Sequence, residues 1–239
     1  MEIRIVKDYA EMSRIGAEVI AKTLKENPSA VLGLATGATP EGVYDELVKK
    51  YEAGELDFSS VTTVNLDEYY PIEPMDEQSY RYFMNKHLFD RVNIDKANTN
   101  VPMGSAADPI AEAKRYEAHL ASLGYADLQL LGVGQNGHIG FNEPAEALEV
   151  ATHLTPLTES TIAANSIYFT DRVMPTEALT MGMGSILRAK KILLLASGKS
   201  KHNAISRLLE GGVTTACPIT FLLLHPNCIV VCDEAAYNG

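Results

Sequence analysis

The chain has 239 residues, 46% of them hydrophobic and 21% charged, with a formal net charge of −11 at pH 7. That length suits one large α/β domain or two small ones, and no run of about 18 apolar residues offers a membrane-spanning helix. Excess acid opposes nonspecific nucleic-acid binding, which works by neutralising phosphates with Lys and Arg. Neither nucleic acid nor membrane is therefore expected as a partner, and an anionic ligand must meet a local positive site.

The N-terminal MEIRIVKDYAEM lacks the basic-then-apolar pattern of a secretory signal, which sets a cytoplasmic expectation. Ile3 to Val6 alternates and is β-branched, a first strand, and Met12, Ile15, Val19, Ile20 and Leu24 recur at helical spacing until Asn27-Pro28. Ala30 to Leu34 reads as a buried strand. After the turn Ala35-Thr36-Gly37-Ala38-Thr39-Pro40, helical spacing resumes at Val43, Tyr44, Leu47, Val48 and Tyr51. Thr39 is expected as the N-cap and Pro40 as the first helical residue. A small glycine-containing turn into a helix suits a phosphate, although a tight turn without ligand has the same appearance.

Val61 to Leu66 reads as the next strand, with Asp67-Glu68-Tyr69 at its end before a turn-rich segment from Tyr70 to Gln78. A solvated acidic loop is the commoner explanation for such a pair, but an acid at this sheet edge is also placed for chemistry. Ser79 to Phe89 reads as a helix, Asn93 to Gly104 as a loop, and Asp108 to Leu123 as an amphipathic helix closed by Gly124. His87 and His119 on these helices are read as structural.

Asp127 to Val133 is a strand that feeds GVGQNGHIGFNEP at 132–144, where four glycines, His138 and Glu143 share a segment unsuited to helix. Glycines let a ligand approach the backbone, and a histidine there can exchange protons near pH 7. A glycine-rich turn alone is the competing reading. Gly132, Gly134 and Gly137 spell the dinucleotide fingerprint, but Gly140 and Pro144 oppose the helix on which that fingerprint depends.

Residues 152–169 show no clean period, and Pro175 to Leu187 reads as a helix with a Met-rich core face; Met174, Met181 and Met183 are not read as a metal site. Ile192 to Ala196 is a buried strand leading into Ser197-Gly198-Lys199-Ser200-Lys201 and a helix over 202–209, so Lys199 and Lys201 offer a second phosphate contact. Cys228 to Val231 is the last strand. Cys217, Cys228 and Cys232 show neither C-x-x-C nor zinc spacing and read as reduced, partly buried thiols.

Four strands thus end in polar loops: Thr36 to Thr39, Asp67, Gly134 to Glu143, and Ser197 to Lys201. In an open parallel sheet, ligands bind outside the carboxyl ends of the strands. Strand–helix alternation predicts a single domain over 1–239 of α/β class, an open doubly wound, mostly parallel sheet with helices on both faces and a Rossmann-like architecture.

On the motifs LATGATPEGVY (34–44), NLDEYYP (65–71), GVGQNGHIGFNEP (132–144), ALTMGMGSIL (178–187) and SGKSK (197–201), the chain closely resembles the glucosamine-6-phosphate deaminases over essentially its whole length. The resemblance implies conversion of glucosamine-6-phosphate and water to fructose-6-phosphate and ammonia, without metal or organic cofactor. It implies Asp67 as the base that moves the proton between C2 and C1, ionised at pH 7 from its reference pKa. It implies His138 as the ring-opening group, oriented by Glu143 and Asn136, where relatives carry Asp or Asn. Thr36, Gly37, Ala38, Thr39 and Lys201 resemble the phosphate cradle.

Ile167 stands where many members carry a phosphate-binding arginine. Allosteric members have a longer tail and basic residues where this chain has His153 and Thr155, so response to an N-acetylated sugar phosphate is not expected. A monomer or small homo-oligomer acting on a small amino-sugar phosphate is the expected assembly. Two alternatives stand beside it: 6-phosphogluconolactonase, whose loop departs from Gly140-Phe141-Asn142-Glu143-Pro144, and a non-catalytic sugar-phosphate sensor, which would need a DNA-binding segment ahead of the first strand.

Overall fold

The computed structural model describes residues 1–170 and 172–239. Strands β1 (Glu2–Val6), β2 (Val31–Leu34), β3 (Thr62–Asn65), β4 (Asp67–Tyr70), β5 (Thr99–Asn100), β6 (Leu128–Leu131), β7 (His153–Pro156), β8 (Glu177–Thr180), β9 (Ile192–Ala196) and β10 (Cys228–Asp233) alternate with helices. The helices are α1 (Tyr9–Glu26), α2 (Ala38–Glu52), α3 (Tyr80–Met84), α4 (Pro109–Ser122), α5 (Glu159–Asn165), α6 (Met183–Leu187), α7 (His202–Leu209) and α8 (Glu234–Asn238).

Seven strands form one sheet in the order β1-β10-β9-β6-β2-β3-β5, and every pairing within it is parallel. Parallel sheets need cover on both faces, which is why β6 and β9 are buried at every residue. Leu32, Leu34, Leu128, Leu130, Leu193 and Leu195 pack under Ile20 and Leu24 of α1 and Val43 and Leu47 of α2. On the other face Val64, Leu131, Ile192 and Leu194 meet Tyr116 and Leu120 of α4 and Ile205 and Leu208 of α7. Each such fully buried leucine stabilises the fold by roughly 1.5–3 kcal/mol through lost apolar exposure. The expected α/β architecture is the observed one.

Local chemistry sets the helix ends. Asp8 accepts from Glu11 N at 3.0 Å while Glu11 accepts from Lys7 N at 2.9 Å, a reciprocal cap on α1. The start of α2 differs from expectation: Gly37 caps it at φ 91°, so Thr39 and Pro40 lie inside the first turn. Glycine permits the left-handed turn that starts the helix two residues early, and Pro40 is tolerated because first-turn N–H groups have no helical acceptor.

Two further expectations are corrected. Asp67–Tyr70 is a strand rather than a loop, pairing antiparallel with β8 (Asp67 opposite Thr180), which pairs antiparallel with β7. This second, three-stranded sheet lies in the order β4-β8-β7. The helix expected over 175–187 resolves into β8 and the short α6. Glu177 to Thr180 is short and bounded by Pro175 and Gly182, so pairing with two strands overrides a weak helical pattern.

Sheet order also locates the site. β2 is flanked by β3 on one side and β6 on the other, so the chain leaves these neighbours in opposite directions. The crevice between their carboxyl ends is the topological switch point.

Candidate active site

A cavity of about 800 Å³ opens at that switch point, a size common for small-molecule sites. Its walls include Thr36 to Thr39 after β2, Leu66 and Asp67 after β3, Gly132 to Asn136, His138, Gly140 and Phe141 after β6, and Ser197 and Lys201 after β9. The four loops singled out in sequence therefore meet at one place.

The loop after β6 folds back on itself, Gly134 N donating to His138 O and Gly137 N to Gly134 O, both at 3.0 Å. No helix follows Gly137 directly, which removes the dinucleotide reading. A side chain at Gly134 would sit 2.2 Å from the His138 ring; glycine is there because the imidazole packs directly on that backbone. Asn136 Oδ1 accepts from His138 N at 3.2 Å, while its amide donates to Glu143 Oε2 at 2.7 Å. The same Glu143 oxygen lies 3.1 Å from His138 Nδ1. A carboxylate can only accept, so the neutral ring carries its hydrogen on Nδ1 and presents Nε2 as an acceptor. Burial works against charge on Glu143, but the donors His138, Asn136 and Thr161 outweigh it and hold the carboxyl at about 2.

Asp67 is only 7% exposed, and Gly140 lies beside it: a Cβ there would stand in ordinary contact, 3.5 Å from Asp67 Oδ2. Burial, with the neighbouring Glu68 second, raises the Asp67 carboxyl to about 8. This corrects the expectation of a carboxylate ionised at pH 7, because desolvation disfavours the charged form. Glu68 is buried too, not a solvated loop. Burial raises it to about 7, but it accepts from Tyr69 N, Ser79 Oγ, Tyr80 N and Arg81 N at 2.8–3.0 Å. Those donors stabilise its charge, so of the two neighbours Asp67 is the one that burial drives more strongly toward the protonated form.

Another part of the cavity wall is built mostly of backbone. The first turn of α2 points its free N–H groups and positive dipole end at the cavity. Tyr9 braces this turn, donating to Ala38 O and accepting from Gly42 N, both at 2.8 Å. In the loop after β9, Gly198 turns at φ 87°, and Asp233 accepts from Ser197 Oγ and from Gly198 N, the latter at 3.0 Å. Lys201 lines the cavity and burial alone pulls its ammonium below the ordinary value. Lys199 is exposed and does not line the cavity, contrary to expectation. Among the described lining residues Lys201 is the one Lys or Arg; Ile167 is 67% exposed and stands outside.

Other supports were not foreseen. Asn142 donates to Ile139 O and Met181 O at 2.8 Å, and Thr180 Oγ1 accepts from Phe141 N at 3.1 Å, fastening the loop to β8. Thr161 donates to Glu143 Oε1 at 2.7 Å from a segment whose sequence had no clear period. His87 stacks on Phe83 with centroids 4.2 Å apart, and neither it nor His119 lines the cavity. All three cysteines are buried and free, and Met174, Met181 and Met183 sit in apolar clusters.

Fold and site define an α/β protein whose small-molecule-sized cavity is lined by a buried acid, a histidine backed by a carboxylate, a helix end and one lysine. The model of the glucosamine-6-phosphate isomerases/6-phosphogluconolactonase family matches residues 9–230, and the chain belongs to that family. It is 51% identical over 238 residues to a glucosamine-6-phosphate deaminase of Clostridium perfringens, covering 99% of this chain and 98% of that one. A glucosamine-6-phosphate deaminase of Thermoanaerobacter pseudethanolicus is 49% identical over 237 residues, covering 99% and 94%. The solved structure of a monomeric glucosamine-6-phosphate deaminase superposes with a TM-score of 0.96 at 45% identity, covering 100% and 99%. A 6-phosphogluconolactonase from Leishmania guyanensis shares the fold alone, with a TM-score of 0.76 at 22% identity.

Proposed function

We propose that this protein is an isomerase–deaminase that converts glucosamine-6-phosphate and water to fructose-6-phosphate and ammonia. The observation that carries the reading is one cavity lined by the buried Asp67, by His138 with Glu143 behind it, and by the first turn of α2 with Lys201.

The sugar phosphate docks with its phosphate against Thr36, Gly37, Ala38, Thr39 and Lys201, its reacting end toward His138 and Asp67. His138 Nε2 takes the proton of the anomeric hydroxyl and returns it to the ring oxygen, opening the ring to an aldehyde. Glu143, oriented with Asn136, stabilises the transient imidazolium. Asp67 then removes the C2 proton and delivers it to C1, carrying the aldose amine through an enolamine to a ketose imine. Water adds to the imine carbon and ammonia leaves. Binding itself supplies the base: a substrate ammonium beside Asp67 favours the charged carboxylate that burial alone disfavours.

High identity over the whole length to deaminases supports this reading over lactone hydrolysis, for which the similarity extends to the fold only. The chain acts as one unit of 1–239, monomeric like its structural neighbour, in the cytoplasm. Ammonia release from glucosamine-6-phosphate, assayed beside hydrolysis of 6-phosphogluconolactone, tests it. Ammonia with negligible lactone hydrolysis is expected; the reverse result overturns the assignment.

A further inference from the structure

Glu143 divides its two oxygens between different neighbours. Oε2 faces Asn136 and His138, at 2.7 and 3.1 Å. Oε1 faces α5, where Thr161 Oγ1 donates at 2.7 Å and Thr158 Oγ1 stands at 3.4 Å. Thr158 is also the N-cap of α5, accepting from Thr161 N at 3.2 Å and donating to Thr161 Oγ1 at 3.0 Å. The hydroxyls therefore run in one direction, Thr158 to Thr161 to Glu143, and each polarises the next. Capping requires Thr158 but makes no use of the Thr161 hydroxyl. That hydroxyl, on a residue 7% exposed, gives its hydrogen to the carboxylate behind His138.

We propose that Thr161 is a positioning residue for the ring-opening half of the reaction, its hydroxyl fixing the Glu143 carboxylate so that Oε2 stays on His138 Nδ1. The proposal rests on the deaminase reading for its kinetic consequences, but the contact itself is testable without turnover. If Thr161 loses its hydroxyl, Oε1 loses its short donor in a half-buried setting. The carboxylate then turns about its last torsion, and the imidazole is oriented only part of the time.

Thr161→Val keeps the side chain's shape and removes the donor, Thr161→Ser keeps the donor and removes a methyl group, and Thr161→Ala serves if the valine variant folds poorly. With glucosamine-6-phosphate, kcat is expected to fall about ten-fold in the valine or alanine variant, as for one hydrogen bond to a charged group. KM should stay within about two-fold of the parent, and the serine variant should recover most of kcat. The open-chain 2-amino-2-deoxyhexitol 6-phosphate has no ring to open and should bind all variants alike. In ligand-free protein the nitrogen-15 signal of His138 Nδ1 should move in Thr161→Val and return in Thr161→Ser. Parental kcat with an unmoved His138 signal in the valine variant overturns the proposal, as does a serine variant impaired as much as valine. If the parent released no ammonia, the functional reading would fail, while the imidazole signal would still decide whether Thr161 governs the Glu143–His138 contact.

Discussion

Two parts of the cavity wall, the reacting end and the anion end by their proposed roles, are built on different physical principles. At the reacting end, around the histidine, Glu143 is held by His138, Asn136 and Thr161 and Glu68 by a hydroxyl and three N–H groups, while Asp67 is set by burial. The anion end relies on the backbone of Gly37 to Thr39 and a single lysine, with Tyr9 and Asp233 bracing the two turns from behind. Side-chain networks tune proton affinity, so damage at the reacting end should appear in kcat. If, as proposed, the helix end and the lysine hold the phosphate, they meet it equally before and during reaction, so damage there should appear in KM.

The sharpest break of this contrast is Asp67→Asn, which keeps shape but removes the base. Ammonia release should fall by about 10²- to 10⁴-fold, the usual contribution of a general base, with sugar-phosphate binding retained. Loss of binding with turnover intact would reverse the roles of the two ends. Lys201→Ala comes next: KM should rise on the order of ten-fold with kcat little changed, the signature of uniform binding. The defect should shrink with unphosphorylated glucosamine, and equal losses on both substrates would remove Lys201 from the phosphate site.

Stability offers a quieter measure. Asp67 is raised from 3.8 to about 8, so the folded state holds its proton more tightly than the unfolded chain. The stability this confers is present below pH 3.8 and lost as pH rises toward 8. Asn cannot ionise, so ligand-free Asp67→Asn should melt above the parent by more at pH 8 than at pH 5, on the order of a few degrees. A gain independent of pH would mean that Asp67 ionises freely in the folded protein. The smallest effect is expected from Asn136→Asp, which replaces a donor 2.7 Å from Glu143 Oε2 by a second carboxylate. Two such groups share a proton and titrate as a unit. The acidic limb of kcat/KM should move upward by roughly one unit with kcat within about ten-fold; an unmoved limb would show that this pair does not set it.

Much of this contrast was legible in the sequence. Strand–helix alternation foretold the sheet, and the loops at 36–39, 67, 134–143 and 197–201 foretold where ligand-binding groups converge. Less visible was anything decided by long-range pairing. Glu177 to Thr180 forms a strand between β4 and β7, and Asp67 leaves the ordinary carboxylate range through burial in the folded chain, with Glu68 second. Thr161 meets Glu143 across 18 residues, with no spacing rule to announce it. The helix start at Gly37 escaped because a left-handed glycine cap competes with the Thr39-Pro40 signal.

The most direct test of the central claim follows hydrogen at carbon. In deuterated water, the parent enzyme with glucosamine-6-phosphate should place solvent deuterium at C1 of fructose-6-phosphate to the extent that the Asp67 proton exchanges, and Asp67→Asn should bind the same substrate without exchanging its C2 hydrogen. Near-normal C2 exchange in that variant would contradict the account, because the proton would then be moved by some other group.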